Sequence, residues 1–90
     1  MTTFNAVTVL GAGVLGSQIA FQTATHGVPV TLYDLNEDAV AAGRQRLDAI
    51  VEQYIADVGE DHRAAATEAA AGIEFATDLA AAVAHAGLVI

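Results

Sequence analysis

The chain has no cysteine, so it can form no disulfide framework, no thiolate nucleophile and no thiolate-ligated metal site. It has no lysine either: its three cationic residues are arginines, set against eleven acidic ones for a formal net charge of −8. That balance repels nucleic acid and anionic membrane surfaces, so neither is an expected partner. A phosphate-bearing ligand would meet the same repulsion and must be held locally, by backbone N–H groups and a helix dipole. Long hydrophobic runs are missing too. The stretches around 6–16 and 80–90 fall well short of the roughly 18 apolar residues of a membrane span. Met1-Thr2-Thr3 passes at once into the apolar segment Ala6–Leu10, without the basic and apolar regions of a secretory signal, and a cytoplasmic location is the default expectation.

What is present is apolar. Ninety residues, 54% of them hydrophobic and only 16% charged, suit one modest core made of a buried sheet covered by helices. Ala6-Val7-Thr8-Val9-Leu10 is a near-continuous β-branched run ended by glycine, the pattern of a parallel strand buried on both faces. From Val14 to about His26 apolar and small residues recur at helical spacing, and Gly27 stands where a glycine closes a helix. Val28–Tyr33 reads as a second strand, with Pro29 tolerable only at its beginning.

Asn36 is a plausible N-cap, with Glu37 and Asp38 in the first turn of a long helix ending near Gly59. Its apolar stripe is Val40, Leu47, Ile50, Val51, Tyr54, Ile55 and Val58, while Gln45, Asp48, Glu52 and Gln53 face away. A turn over Gly59–His62 and a looser alanine-rich helix over Ala64–Ala71 follow. Ile73–Phe75 reads as a short strand, Thr77 or Asp78 as the cap of a helix through about His85, and Leu88–Ile90 as a final strand. Alternating elements of this kind imply an α/β, Rossmann-type doubly wound parallel sheet, incomplete at its C-terminal end.

Gly11-Ala12-Gly13-Val14-Leu15-Gly16 is a GxGxxG hexapeptide between the first strand and the first helix, and Asp34 closes the next strand 23 positions after Gly11. Strand, glycines, helix and acidic residue together form the dinucleotide fingerprint, which is far more specific than the hexapeptide alone. Gly11 permits the tight turn, Gly13 lets backbone approach a pyrophosphate, and Gly16 lets helix and strand pack closely. Ala12, Val14 and Leu15 complete the loop and helix start. Asp34 would accept hydrogen bonds from the adenosine ribose, favouring NAD. The nearest cation that could neutralise an NADP phosphate is Arg44, already inside the long helix.

The remaining polar residues point to no second site. His26 falls in the last turn of its helix, where carbonyl capping is its natural role, and His62 and His85 lie near element ends. The three lack ligand spacing, so no metal site is expected. Arg44 and Asp48 are at best a weak surface pair.

From Val7 to Ile90 the chain resembles the N-terminal half of the NAD-binding domain of 3-hydroxyacyl-CoA dehydrogenases. The likeness rests on Val7–Gly16, on Thr25-His26-Gly27 before Val30–Asp34, on the long helix after Asn36, and on the late segments Ile73–Asp78 and Ala86–Ile90. The long helical insertion before the third strand is its most discriminating part. Leu15, where many members have methionine, and Pro29 depart from the pattern without touching backbone phosphate binding. The resemblance implies hydride transfer between NAD and carbon 3 of a 3-hydroxyacyl-CoA. It also implies a further C-terminal helical domain that completes the site and a homodimer. The family's catalytic histidine, its glutamate partner and the substrate-contacting serine and asparagine would lie beyond the position matching Ile90. No catalytic residue is therefore assigned, residues 1–90 are read as the N-terminal part of the domain, and the chain by itself is expected to be inactive. Two other readings stay open: a flavoprotein, whose FAD-binding start shares GxGxxGxxxA but usually ends the second strand with glutamate, and a non-catalytic NAD-binding or redox-sensing module.

Overall fold

A computed structural model describes residues 6–90; the reading of the chain's start as lacking a signal falls on Met1-Thr2-Thr3, outside the described residues. Strand β1 (Val7–Leu10) leads into helix α1 (Val14–Thr25), strand β2 (Val30–Tyr33) and the long helix α2 (Glu37–Val58). A 3-10 turn (Glu60–His62), helix α3 (Arg63–Ala71), strand β3 (Glu74–Ala76), helix α4 (Leu79–Val83) and strand β4 (Leu88–Val89) complete the order. The four strands form one parallel sheet in the order β3-β2-β1-β4.

Side chains alternate across a strand, so the register Val7↔Val30 and Val9↔Leu32 places four apolar residues on one face. There they join Ala20, Phe21, Leu47, Val51, Ile55, Ala66 and Ile73 in the core. Thr8 therefore points to the other face, where its buried hydroxyl donates to the Ala82 carbonyl of α4 at 2.6 Å. α1, α2 and α3 thus cover one face and α4 the other. This is what right-handed crossovers require when the chain steps outward from β1 to β3 and then returns past β1 to β4.

The ends of several elements differ from the sequence reading. β2 begins at Val30, not Val28, because Pro29 has no N–H for the ladder; its carbonyl instead accepts from Val7 N at 2.9 Å. α4 stops at Val83 and gives way to a turn in which Ala86 N bonds Val83 O at 3.2 Å. Asp78, not Thr77, caps that helix, accepting from Ala81 N at 3.2 Å. Gly27 closes α1 with φ +79°, and Asn36 caps α2 by accepting from Ala39 N at 2.9 Å.

Along α2, Val40, Leu47, Val51 and Ile55 are buried and Ile50 and Tyr54 pack against the core, but Val58 is exposed. The helix has run past the sheet by its last turn. Arg44 makes no ion pair with Asp48 among the described residues; its guanidinium lies over the Phe75 ring, 4.4 Å from the centroid. Arg63 bridges Glu60 and Glu52 and so fastens the 3-10 turn to α2.

Phe21 is fully buried and meets Tyr54 edge-on, with centroids 5.3 Å apart. Phe21→Ala should lower unfolding free energy by about 3–5 kcal/mol, the usual cost of emptying an aromatic core site. Val58→Ala, at a position the helical stripe marks as core but the fold leaves exposed, should change it by less than about 0.5 kcal/mol. Urea melts of the two variants give both values.

Candidate dinucleotide-binding site

β1 lies between β2 and β4, so connections leave the middle of the sheet in opposite directions and open a crevice at the carboxyl ends of the strands. The loop from Gly11 to Gly16 sits in that crevice. Gly11 turns the chain out of β1 with φ +102°, a conformation that L side chains rarely adopt. Its N–H still bonds Tyr33 O at 2.7 Å, so the turn starts from a fixed point. Gly16 is needed for space: a Cβ there would fall 1.9 Å from the Gly11 carbonyl oxygen.

Ala12 is the anchor of the loop. It is fully buried, its N–H donates to Asp34 Oδ2 at 2.8 Å, and its carbonyl accepts from Ser17 Oγ at 3.2 Å and from Arg46 Nη1 at 3.0 Å. α2 presses on the same residue, for a Cβ on Gly43 would come within 2.6 Å of the Ala12 Cβ. Two strand ends and two helices therefore converge on one alanine.

Gly13 is the N-cap of α1, and Ser17 N is the first amide to bond back to its carbonyl, at 2.9 Å. The amides of Gly13, Val14, Leu15 and Gly16 thus form the open end of the helix, where N–H donors and the dipole favour an anion. A Cβ on Gly13 would meet nothing within 4 Å, so the space above it is free for a ligand to approach the backbone. The groove here, about 450 Å³ in volume, is bounded by Leu10, Val14, Leu15, Ile19 and Ile90. A concavity of about 510 Å³ between α2, α3 and β3 contains none of the loop residues.

The structure brings all seven candidate residues together, with Asp34 joined to the loop by its bond to Ala12. It corrects the reading of the nearest cation. Arg44 is occupied by Phe75, whereas Arg46 reaches the loop. No local pattern marks Arg46, because its partner lies 34 residues earlier. Gly43 carries a weaker signal: glycine inside a helix costs about 1 kcal/mol against alanine, and its close packing on Ala12 gives the reason for it here.

The carboxyl of Asp34 is held below the ordinary aspartate value, first by the Ala12 N–H, next by the Leu35 N–H at 2.7 Å; partial burial opposes them and the charge of Arg46 adds the least. His26 Nδ1 lies 2.7 Å from Gln22 O at the far end of α1, a capping contact remote from the loop. Among the described residues no three His, Asp or Glu side chains come together to hold a metal, and no helix is long and apolar enough to cross a membrane.

The match to known proteins runs over the same ground as this geometry. Residues 6–90 match the family model described as 3-hydroxyacyl-CoA dehydrogenase, NAD binding domain. The chain belongs to the 3-hydroxyacyl-CoA dehydrogenase family. Among curated relatives, fatty acid oxidation complex subunit alpha of Acinetobacter baylyi is 33% identical over 51 residues, covering 57% of this chain and 7% of its own length. That of Idiomarina loihiensis is 40% identical over 47 residues, 52% of this chain and 6% of its own.

Among solved structures, a diketoreductase shares 50% identity with a TM-score of 0.91, over 99% of this chain and 31% of that one. FadB2 of M. tuberculosis shares 33% with a TM-score of 0.81, over 98% and 30%. The 3-hydroxybutyryl-CoA dehydrogenase of Escherichia coli shares 27% with a TM-score of 0.83, over 98% and 18%. The chain thus spans less than a third of each of these structures. The family is one of oxidoreductases, and this part of it is the NAD-binding domain, which sets the flavoprotein reading aside.

Asp34 should leave a mark on acid unfolding. A carboxyl whose folded value is depressed stabilises fully above its unfolded value, about 3.9, and loses that contribution as pH falls through the lower folded value. Asp34→Asn should therefore be less stable than the parent at pH 7 and converge towards it as pH falls through the lowered folded value. Melts of the two proteins from pH 7 to pH 2 check this; a constant difference across the range would mean that the Ala12 contact does not depend on the charge.

Proposed function

We propose that this chain binds NAD through Gly11, Ala12, Gly13, Val14, Leu15, Gly16 and Asp34, for a protein that transfers hydride between NAD and carbon 3 of a 3-hydroxyacyl-CoA. The observation that carries the reading is the free amide end of α1 beside an ionised Asp34, in a chain with few cations to hold a phosphate otherwise. The amides face the pyrophosphate, and Asp34, with lone pairs left beyond its two backbone bonds, accepts from the ribose hydroxyls. Bound NAD supplies the hydride acceptor, and these residues hold and orient it.

The acid–base step belongs to another part of the protein that carries this chain. His26 and His85 precede β2 and β4, and His62 follows α2, so all three lie towards the amino ends of the strands, away from the crevice. Association as a homodimer through a C-terminal helical domain and a cytoplasmic location complete the proposal.

A second reading has its own support: the similarity to the diketoreductase, a protein described as acting on dicarbonyl compounds. Both substrates present a carbonyl to the same hydride, so the cofactor site does not separate them. NADH oxidation by the whole protein with acetoacetyl-CoA, compared with a diketo ester lacking CoA, does. We expect acetoacetyl-CoA to have the higher kcat/KM; faster turnover of the diketo ester would select the second reading, and turnover of neither would leave only nucleotide binding.

Cofactor choice follows from Asp34. A phosphate on the ribose would lose a charge-assisted bond and meet the carboxylate, and Leu35, Asn36, Glu37 and Asp38 offer no compensating cation. Preference for NAD over NADP should be at least about tenfold, or about 1.4 kcal/mol. Asp34→Ala should weaken NAD and narrow that gap, whereas Asp48→Ala on the exposed side of α2 should do neither. Titration of both cofactors decides, and equal or tighter NADP binding by the parent would remove Asp34 from the ribose.

A further inference from the structure

We infer that Arg46 is a positioning residue for the nucleotide, acting through the peptide between Ala12 and Gly13. This rests on the reading of the loop as the NAD site. A trans peptide points its carbonyl and its N–H in opposite directions, and the described residues contain no cis bond. Whatever fixes the Ala12 carbonyl therefore fixes the Gly13 N–H on the other side. Arg46 Nη1 and Ser17 Oγ both donate to that carbonyl, at 3.0 Å and 3.2 Å, the serine buried beneath the loop and the arginine reaching in from α2. The Gly13 N–H is left directed away from both donors, on a residue that is exposed.

The charge on the guanidinium does more than hold direction. A carbonyl that accepts from a cation is polarised, and its peptide N–H becomes a stronger donor. Arg46 thereby brings a positive influence to the anion-facing side of the loop without touching the ligand. The peptide before it is held in the same way by Asp34 on the Ala12 N–H, so both peptides flanking Ala12 are clamped from outside the loop. α2 can deliver this clamp because Gly43, one turn before Arg46, lets the helix come close to Ala12.

The effect should be confined to ligands that carry a pyrophosphate. In the whole protein, Arg46→Met should weaken ADP-ribose about five- to tenfold, within the net range of one ordinary hydrogen bond because the cation acts through the peptide, and leave adenosine within about twofold. Arg46→Lys, which keeps the charge and a donor, should recover most of the loss. Calorimetric titration of both ligands into each variant, with melts to show that each is folded, reads this out. Unchanged ADP-ribose binding by Arg46→Met would overturn the proposal, as would equal weakening of both ligands or no recovery with lysine. Asp34→Ala separates the two readings: it should weaken adenosine, which Arg46→Met leaves nearly unchanged, as well as ADP-ribose. If it weakens neither, the nucleotide-site reading itself fails; if it weakens both while Arg46→Met changes nothing, only the role of Arg46 falls.

Discussion

The 2.8 Å bond between the Ala12 amide and the Asp34 carboxylate joins the loop after β1 to the end of β2. It is the contact on which the geometry of the crevice depends. The parallel ladder brings Leu10 beside Tyr33, so the next residues of both strands leave the sheet together. The Gly11 N–H to Tyr33 O bond carries the ladder one residue further, and the carboxylate of Asp34 extends the tie to Ala12. The carboxylate takes up one backbone donor of the loop and, through Leu35, one of its own turn, and it does so as an anion. Fold and site are thus linked through a single charged group.

The fold was legible to the extent that hydrophobic periodicity and punctuation agreed. Val7–Leu10 and α2 follow from their patterns, and Asn36 and Gly27 mark helix ends by mechanisms that need no tertiary partner. Legibility ended where tertiary contact decides. Thr8 could not be assigned a partner, because the Ala82 carbonyl that receives its hydroxyl lies 74 residues away. Val58 continues a helical stripe that the sheet is too short to meet, and α4 is too short and alanine-rich for periodicity to set its end.

The candidate site divides in the same way. The glycines and Asp34 are visible because backbone approach and a strand-end carboxylate impose residue types at fixed offsets. Arg46 and Ser17 are not, because what they supply is a direction for a carbonyl, and several residue types on several elements could supply it. Ser17 lies within the helix that starts at the loop, but Arg46 belongs to an element brought within reach of the loop by tertiary packing, its apolar face on the core and Gly43 close to Ala12.

The net charge of −8 gives this arrangement its physical sense. A site that relied on flexible cationic side chains for an anion would need them against a negative background, and would pay for ordering them on binding. Backbone amides at a helix start are ordered already, and their number does not depend on composition. What they require is that the peptides hold one orientation, since a rotated plane would present a carbonyl oxygen to the phosphate. Ala12 meets that requirement with both of its polar groups bonded and its methyl buried against α2. The chain therefore uses one of its three cations behind the loop, where it stiffens and polarises a donor that is already in place.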